Sequence, residues 1–118
     1  MRHQEEDLQK ACVRWFDYQY PQFRLLLHAS PNGGLRNARE AARFKATGTR
    51  AGFPDLILLL CGQNYTCLAI EMKSDKGRQS DNQKKWQEVA ERNMIKYVVI
   101  RSFPEFMEQI DSYINGPQ

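Results

Sequence analysis

Apolar residues along the chain recur with helical spacing in some segments and form short continuous runs in others. Residues 4–18 show the first pattern, which predicts an amphipathic helix with one buried face. The apolar residues at helical spacing are Leu8, Ala11, Cys12, Trp15 and Phe16. Residues 23–29, FRLLLHA, form a short apolar run after Pro21, and we interpret this run as a strand.

The middle of the chain predicts a loop, a short helix and a β-hairpin. Proline, asparagine and two glycines in SPNGG at 30–34 indicate a loop, and the segment after it is predicted to form a short helix ending near Gly48. Apolar runs at 55–61 and 65–73 flank the turn sequence GQN, so they predict two strands joined by that turn.

The last third of the chain predicts helix, strand and helix. Ser80 and Gln83 have the spacing of a capping box at the start of a helix at 81–92. YVVIR at 97–101 is a β-rich run, and Pro104 suits the first turn of a final helix. The order of elements predicts an α/β fold with a small mixed sheet flanked by helices, and the 118 residues suit a single domain.

Charged residues interrupt the apolar pattern at one end of the predicted hairpin. A three-residue connection centred on Gln63 places Asp55 opposite Glu71, with Cα atoms about 5 Å apart. Side chains alternate along a strand, so Lys73 shares a face with both carboxylates and Met72 points to the other face. Two acids and one ammonium group are therefore predicted on one side of the sheet.

Such a cluster fits a metal site. Two adjacent carboxylates repel each other, and a divalent cation with oxygen ligands, such as Mg²⁺, offsets that repulsion. The backbone carbonyl of Met72 is a further candidate ligand, and Lys73 is suited to orient or deprotonate a water or to hold a phosphate. The alternative is a surface salt bridge between Lys73 and either Asp55 or Glu71, but the combined spacing favours a metal-dependent nuclease site.

The net charge of +3 is concentrated in one stretch. Residues 36–50 carry five basic side chains and one acid, and the rest of the chain is near neutral. This concentration fits a polyanionic substrate, although a solvated helix face has the same composition. The basic residues are Arg36, Arg39, Arg43, Lys45 and Arg50.

Other residues near the predicted site are candidates for phosphate contacts. Asn32 and the backbone amides of Gly33 and Gly34 are able to approach a phosphate closely, although a tight turn explains the glycines equally well. Lys76 and Arg78 follow the second hairpin strand and are predicted to contact the DNA backbone, unless they belong to a solvated loop.

Composition excludes several classes of protein. No apolar stretch approaches the roughly 20 residues of a membrane span, and the N-terminus lacks the apolar segment of a signal peptide. We therefore expect a cytoplasmic location. The cysteines show no paired C-x-x-C spacing, and we interpret Cys12, Cys61 and Cys67 as reduced core residues.

The combined motifs resemble a known family. Pro54-Asp55 followed by Glu71-Met72-Lys73 resembles the PD-(D/E)xK signature of restriction-endonuclease-like phosphodiesterases. The wider pattern adds GFPDL at 52–56, the Ser80, Gln83 and Trp86 positions, and PNGG at 31–34; it is similar to a stand-alone VRR-NUC domain of the phage or bacterial type over nearly the whole chain.

The resemblance implies an αβββαβ core and Mg²⁺- or Mn²⁺-dependent DNA cleavage. It further implies a homodimer that acts like a Holliday junction resolvase on four-way or otherwise branched DNA. Asp55 and Glu71 match the metal ligands of the family, and Lys73 matches its catalytic lysine. Gln83 matches a glutamine placed near the water or the scissile phosphate, although a helix-capping role is equally compatible with its position.

The family also places an acid of the first helix near the metal. Glu5 shares the buried face of that helix with Leu8 and Cys12, so we choose Glu5 and keep Glu6 as the alternative. Trp86 is assigned to the core. Two other functions stay open, namely an exonuclease or flap nuclease with the same chemistry, and a DNA-binding module without cleavage. The carboxylate cluster argues against the second, because it would repel phosphates.

Overall fold

Helices pack on both faces of a four-stranded mixed sheet in the computed structural model, which describes residues 2–30, 37–62 and 64–116. In chain order the elements are α1 (Arg2–Gln19), a 3-10 helix (Pro21–Leu26), β1 (Leu27–Ala29), α2 (Ala38–Ala46), β2 (Leu56–Leu58), β3 (Cys67–Met72), α3 (Asp81–Arg92), β4 (Ile95–Ile100) and α4 (Phe103–Asn115). The predicted α/β class and order of elements are confirmed, with one additional 3-10 helix.

The sheet has the strand order β1-β2-β3-β4. The pairs β1–β2 and β2–β3 are antiparallel, whereas β3 and β4 are parallel because α3 crosses over between them. Leu56 pairs with Ile70 and Leu58 with Leu68, which is the register predicted from a turn centred on Gln63. β2 and β3 are both shorter than predicted, and Gln63 itself lies outside the described residues.

The main core lies between one face of the sheet and the helices α1 and α4. Alternate side chains of β2 and β3 point into it. The core residues include Phe16, Leu56, Leu58, Leu68, Ile70, Met72, Ile100, Phe106 and Ile110. β3 is buried from Leu68 to Met72 because α3 covers the opposite face. Charged side chains on that second face are therefore removed from water.

The predicted strand at 23–29 is wrong over most of its length. Residues Pro21–Leu26 form a 3-10 helix, and β1 contains only the last three residues of the predicted strand. Side chains three apart share a face of a 3-10 helix, so Phe23 and Leu26 both pack on the core while Leu25 is exposed. A short, nearly continuous apolar run does not distinguish this spacing from a strand.

The helix starts follow the predicted capping signals. Ser80 accepts a hydrogen bond from the backbone N–H of Gln83, and the Gln83 side chain accepts one from the N–H of Ser80. Ser102 caps α4, and Pro104 lies in the first turn of that helix. The basic helix α2 is capped by Asn37 and contains no buried residue. It therefore lies on the surface of the protein.

The cysteines are free thiols, but the prediction that all are core residues is wrong for Cys61, which is exposed beyond β2. Cys12 is buried in α1, and burial raises the pKa of its thiol to about 12. Over the residues that the structure describes, none of the helices has the length and apolar character needed to cross a bilayer.

Candidate active site

Asp55 lies at the entrance to β2 and reaches across to the end of β3. Its Oδ2 atom accepts a hydrogen bond of 2.7 Å from the backbone N–H of Met72. The N–H and C=O of one strand residue point to the same side, so the Met72 carbonyl faces the Asp55 side as well. The next amide, that of Lys73, points the other way and donates to the carbonyl of Ile100. The Met72 side chain is in the core, as predicted.

Glu71 is the buried charged residue of β3, with 2% of its surface exposed. Gln83 donates from Nε2 to Glu71 Oε2 at 2.8 Å, and the Tyr97 hydroxyl donates to Oε1 at 3.4 Å. The ammonium group of Lys73 lies 3.9 Å from Oε2. Both carboxylate oxygens therefore have partners, which come from α3, from β4 and from the residue directly after β3.

Burial and a neighbouring charge act together on Glu71. Desolvation is the largest cause, and the adjacent Asp55 carboxylate adds to it, so the pKa of Glu71 rises to about 9; Lys73 opposes the shift only in part. Among the described residues, the charge of Lys73 therefore only partly offsets that of the carboxylate pair. A divalent cation supplies positive charge and takes carboxylate and carbonyl oxygens as ligands, so this donor set fits Mg²⁺ or Mn²⁺.

Gln83 joins the start of α3 to this carboxylate. Its Oε1 atom accepts the backbone N–H of Ser80 at 2.8 Å, and its Nε2 atom donates to Glu71 at the same distance. The amide orientation is fixed because only an oxygen can accept the Ser80 hydrogen bond and only the NH₂ group can donate to a carboxylate. Gln83 therefore caps α3 and contacts Glu71 at the same time, so the two roles considered from the sequence, helix cap and site residue, are compatible.

Glu5 lies beside the loop that follows β3. Its Oε2 atom accepts a hydrogen bond of 3.2 Å from the backbone N–H of Ser74, the residue after Lys73. Within residues 2–30, 37–62 and 64–116, no three histidine, cysteine or acidic side chains converge as a metal-binding group. Glu5 thus borders the site without forming a three-acid cluster with Asp55 and Glu71, and its role as a ligand stays a prediction.

Arg101 holds the same loop and was not identified from the sequence. Its Nη1 atom donates to the carbonyls of Ser74 and Gly77, at 2.7 Å in each case. Arg101 follows β4, and the parallel pairing of β4 with β3 brings the two strand ends together. The charged residue at the end of the β-rich run 97–101 was the available signal.

Tyr97 is the other residue that sequence reasoning missed. Its hydroxyl lies between Glu71 and Gln79, whose Nε2 atom is 3.3 Å away and also donates to Gln87 at 2.9 Å. Burial is the largest cause that raises the pKa of Tyr97 to about 12, so the hydroxyl is a donor at neutral pH. The ring also packs 6.0 Å from that of Trp86. Trp86 is half-buried between Phe53 and Tyr97 and lies outside the main core, so its assignment to the core is wrong.

A cleft of about 410 Å³ opens beside Asp55 and Gln83. One wall is α2, which contributes Lys45, and the loop before β2 contributes Arg50. The cleft therefore connects the carboxylate site to the basic segment predicted to bind DNA.

The remaining predicted DNA contacts differ in placement. Arg39 and Arg43 are exposed on α2, and Lys76 is exposed in the loop after β3. Asn32, Gly33 and Arg36 lie outside the described residues, as does most of the predicted SPNGG loop. The binding roles of all these residues stay predictions.

The fold and site define an α/β domain of the nuclease type, and comparisons with known proteins agree. Residues 1–104 match the family model of the VRR-NUC domain. The chain therefore belongs to the VRR-NUC family, as the sequence motifs predicted. A solved structure described as a VRR_NUC domain protein is 28% identical, with a TM-score of 0.81, and the match covers 94% of this chain and 88% of that one. A comparison with curated proteins finds no match.

Proposed function

We propose that this nuclease is a Mg²⁺- or Mn²⁺-dependent endonuclease that hydrolyses phosphodiester bonds of branched DNA. The observation that carries the proposal is the buried Glu71 carboxylate beside Asp55, with Lys73 at 3.9 Å and Gln83 at 2.8 Å. A structural salt bridge explains one acid beside one lysine, but not a second acid on the same buried face. A domain that only binds DNA also has no need for a carboxylate pair beside its phosphate-binding surface.

The ligands in this proposal are the carboxylates of Asp55 and Glu71 and the carbonyl of Met72. When bound, the cation would stabilise negative charge on the phosphate and lower the pKa of a coordinated water. Asp55 is already held by the Met72 amide and Glu71 by Gln83, so both ligands are oriented before any ion arrives.

Lys73 is the proposed catalytic cation. Its side chain is largely buried, and its ammonium group lies on the carboxylate side of the sheet. There it donates hydrogen bonds to a non-bridging phosphate oxygen or to the attacking water. In the overall reaction the water oxygen bonds to phosphorus and the P–O bond to one strand breaks. The leaving oxygen takes up a proton, so the products are a phosphomonoester and a hydroxyl.

The basic segment would hold the DNA backbone next to this site. Lys45 and Arg50 line the cleft that reaches Asp55, and Arg39 and Arg43 extend the positive charge along α2. Contacts of this kind neutralise phosphates without reading bases, which suits an enzyme selective for DNA structure rather than sequence.

Selectivity for four-way junctions and a homodimeric active unit complete the proposal. One such site cuts one strand at a time, whereas symmetric resolution of a junction needs two incisions. A two-fold dimer supplies two identical sites in a fixed relation.

The test is cleavage of labelled four-way junction, flap, single-stranded and linear duplex DNA, with Mg²⁺, Mn²⁺ or excess EDTA. We expect metal-dependent cuts within the branched substrates, and activity lower by orders of magnitude in Asp55→Asn and Glu71→Gln. The exposed Glu88, which pairs with Arg92 on α3, provides the control Glu88→Gln with full activity. Activity in EDTA would disprove the metal mechanism, and digestion from DNA ends would identify an exonuclease or flap nuclease instead.

A further inference from the structure

The turn at residues 74–77 directly follows Lys73 and folds back over it. The backbone N–H of Gly77 donates to the carbonyl of Ser74 at 3.1 Å, which is the hydrogen bond of a β-turn. A Cβ added to Gly77 would lie 3.4 Å from Cδ of Lys73 and 3.1 Å from Oγ of Ser74. The turn therefore packs on the aliphatic stem of Lys73, whose ammonium group lies 3.9 Å from Glu71.

Arg101 holds both ends of this turn with a single nitrogen. Its Nη1 atom donates to the carbonyls of Ser74 and Gly77, at 2.7 Å in each case, and lies 3.4 Å from the carbonyl of Asp75. The guanidinium group is always charged, and a charged donor makes stronger hydrogen bonds than a neutral one. The main chain of Arg101 is itself held just before α4, since its N–H donates to Glu105 at 2.6 Å.

The backbone of Lys73 is fixed by strand pairing, whereas its side chain is a flexible four-carbon stem. Its backbone N–H donates to the carbonyl of Ile100 at 2.9 Å. The ammonium group lies 3.9 Å from Glu71, beyond hydrogen-bond distance, so this contact alone orients it weakly. Packing of the turn on the stem restricts the side chain further and helps to determine where the ammonium group lies.

We propose that Arg101 is a positioning residue, which holds the turn at residues 74–77 against the stem of Lys73 and so keeps the ammonium group beside Glu71. This inference rests on the proposed function, in which that ammonium group contacts the phosphate or the attacking water. A misplacement of about 1 Å in a reacting site can cost about a hundredfold in rate. Arg101 therefore affects the cleavage step without touching the DNA.

A direct contact with a phosphate is the alternative role for an arginine that is exposed beside the site. Both hydrogens of Nη1 point to carbonyl oxygens of the turn, which favours positioning. The two roles differ in what they change. A phosphate contact contributes to DNA affinity and to its salt dependence, whereas positioning changes the rate after the DNA is bound.

The first test is a double-mutant cycle on single-turnover cleavage of a four-way junction. Arg101→Ala should lower the cleavage rate by about 10- to 100-fold and leave DNA affinity in EDTA unchanged. In a Lys73→Met background the same substitution should have little further effect, because the ammonium group that it would displace is absent. Arg92→Ala, at an exposed arginine of α3 that pairs with Glu88, should leave both rate and affinity unchanged.

Chemical rescue supplies a second readout that a purely structural role would not give. Guanidinium chloride, at concentrations far below those that unfold the protein, should restore part of the cleavage rate of Arg101→Ala but not that of Lys73→Met. Sodium chloride at the same ionic strength should restore neither. Arg101→Gln, which keeps a polar side chain of shorter reach, takes the place of Arg101→Ala in the cycle if that variant does not fold.

Amide hydrogen exchange tests the contact between Arg101 and the turn without DNA or metal. In Arg101→Ala the amide of Gly77, which donates to Ser74, should exchange about tenfold faster or more, because the turn opens locally more often. The amide of Thr66, which donates to Met94 at the other end of the sheet, should exchange at the wild-type rate.

The outcomes separate this inference from the proposed function. Weaker DNA binding by Arg101→Ala, or a rate loss that persists in the Lys73→Met background, overturns the positioning role and leaves the nuclease proposal intact. Unchanged exchange at Gly77 overturns the positioning role as well. Absence of cleavage by the wild-type protein in Mg²⁺ and Mn²⁺, together with faster exchange at Gly77 in Arg101→Ala, overturns the nuclease proposal, since Arg101 then holds a turn that serves no cleavage.

Discussion

The side-chain amide of Gln83 donates a hydrogen bond of 2.8 Å to the carboxylate of Glu71, so the first turn of α3 directly supports the charged end of β3. The same amide accepts the N–H of Ser80 and thereby caps the helix. One side chain consequently links helix formation to the orientation of a proposed metal ligand.

Gln83→Ala should therefore lower both stability and activity. Loss of the hydrogen bond from the Ser80 N–H to the Gln83 side chain, one half of the capping box, should cost about 1 kcal/mol of unfolding free energy. Loss of the contact to Glu71 should reduce cleavage by about 10- to 100-fold. Ser80→Ala is the matched control, since it removes the other half of the same capping box and leaves the contact between Gln83 and Glu71 in place. Urea unfolding and cleavage rates of both variants separate the effects. Equal activity loss in the two variants would mean that Gln83 acts only through stability.

Replacing Glu71 should make the metal-free protein more stable at neutral and alkaline pH. The folded-state pKa of Glu71 is raised from 4.5 to about 9, so between these values the native state retains a proton that the unfolded chain has released. Stability attributable to this group therefore falls as pH rises through that interval.

Glu71→Gln removes this pH dependence. In EDTA its thermal midpoint should exceed that of the wild type, by a margin that grows from about pH 5 to about pH 8. The amide oxygen can still accept from Gln83 while its NH₂ group faces the Tyr97 hydroxyl, so packing is preserved. Mg²⁺ should narrow the difference by stabilising only the wild type. A destabilised Glu71→Gln protein at every pH would contradict the charge argument.

Lys73→Met should separate turnover from DNA binding. The substitution keeps most of the apolar stem and removes the ammonium group that lies 3.9 Å from Glu71. We expect cleavage to fall by about a hundredfold or more, in the range of a proton-transfer or phosphate-orienting group, with little change in DNA affinity. Lys10→Met, at an exposed position of α1, controls for loss of one charge. If affinity and turnover fell in parallel, Lys73 would be assigned to binding only.

The basic face of α2 should bind phosphates irrespective of sequence. Replacing Arg39 and Arg43 with glutamine should weaken binding to all DNA sequences alike and reduce the slope of log K against log salt by about one unit per lost contact. Lys10 and Arg14 have the same spacing on exposed positions of α1, so their replacement by glutamine is a charge-matched control. A loss confined to particular sequences would show that α2 reads bases.

The sequence predicts the hairpin geometry well because a turn centred on Gln63 determines every pairing of β2 with β3. It therefore places Asp55 opposite the end of β3, where the Met72 amide holds its carboxylate. The contact between Tyr97 and Glu71 was not predictable in the same way. It depends on the parallel register of β4 with β3, which is set by how α3 packs on the sheet and not by a short turn.

The cleft beside Asp55 and Gln83 was not predictable for a similar reason. α2 has helical spacing of Ala41, Phe44 and Lys45, but spacing alone does not show whether such a face meets a core or a cavity. The answer depends on the Gly52 turn, whose positive φ brings the loop against the first turn of α3. The signal available in the sequence was the glycine of GFPD, which matches the family pattern.

The final prediction is that the active unit is a homodimer that resolves a four-way junction by two symmetric cuts. Light scattering should give twice the mass of the 13.8 kDa chain. Heterodimers of one wild-type and one Glu71→Gln subunit are the sharper test. Such a heterodimer should cut only one strand and leave a nicked junction, whereas the wild-type homodimer should cut two strands and release two linear duplexes. Homodimers of Glu71→Gln control for contaminating nuclease. A monomer that degrades single duplex arms as readily as it cuts junctions would contradict this prediction and favour the exonuclease, since coordinated incision requires both sites on one particle.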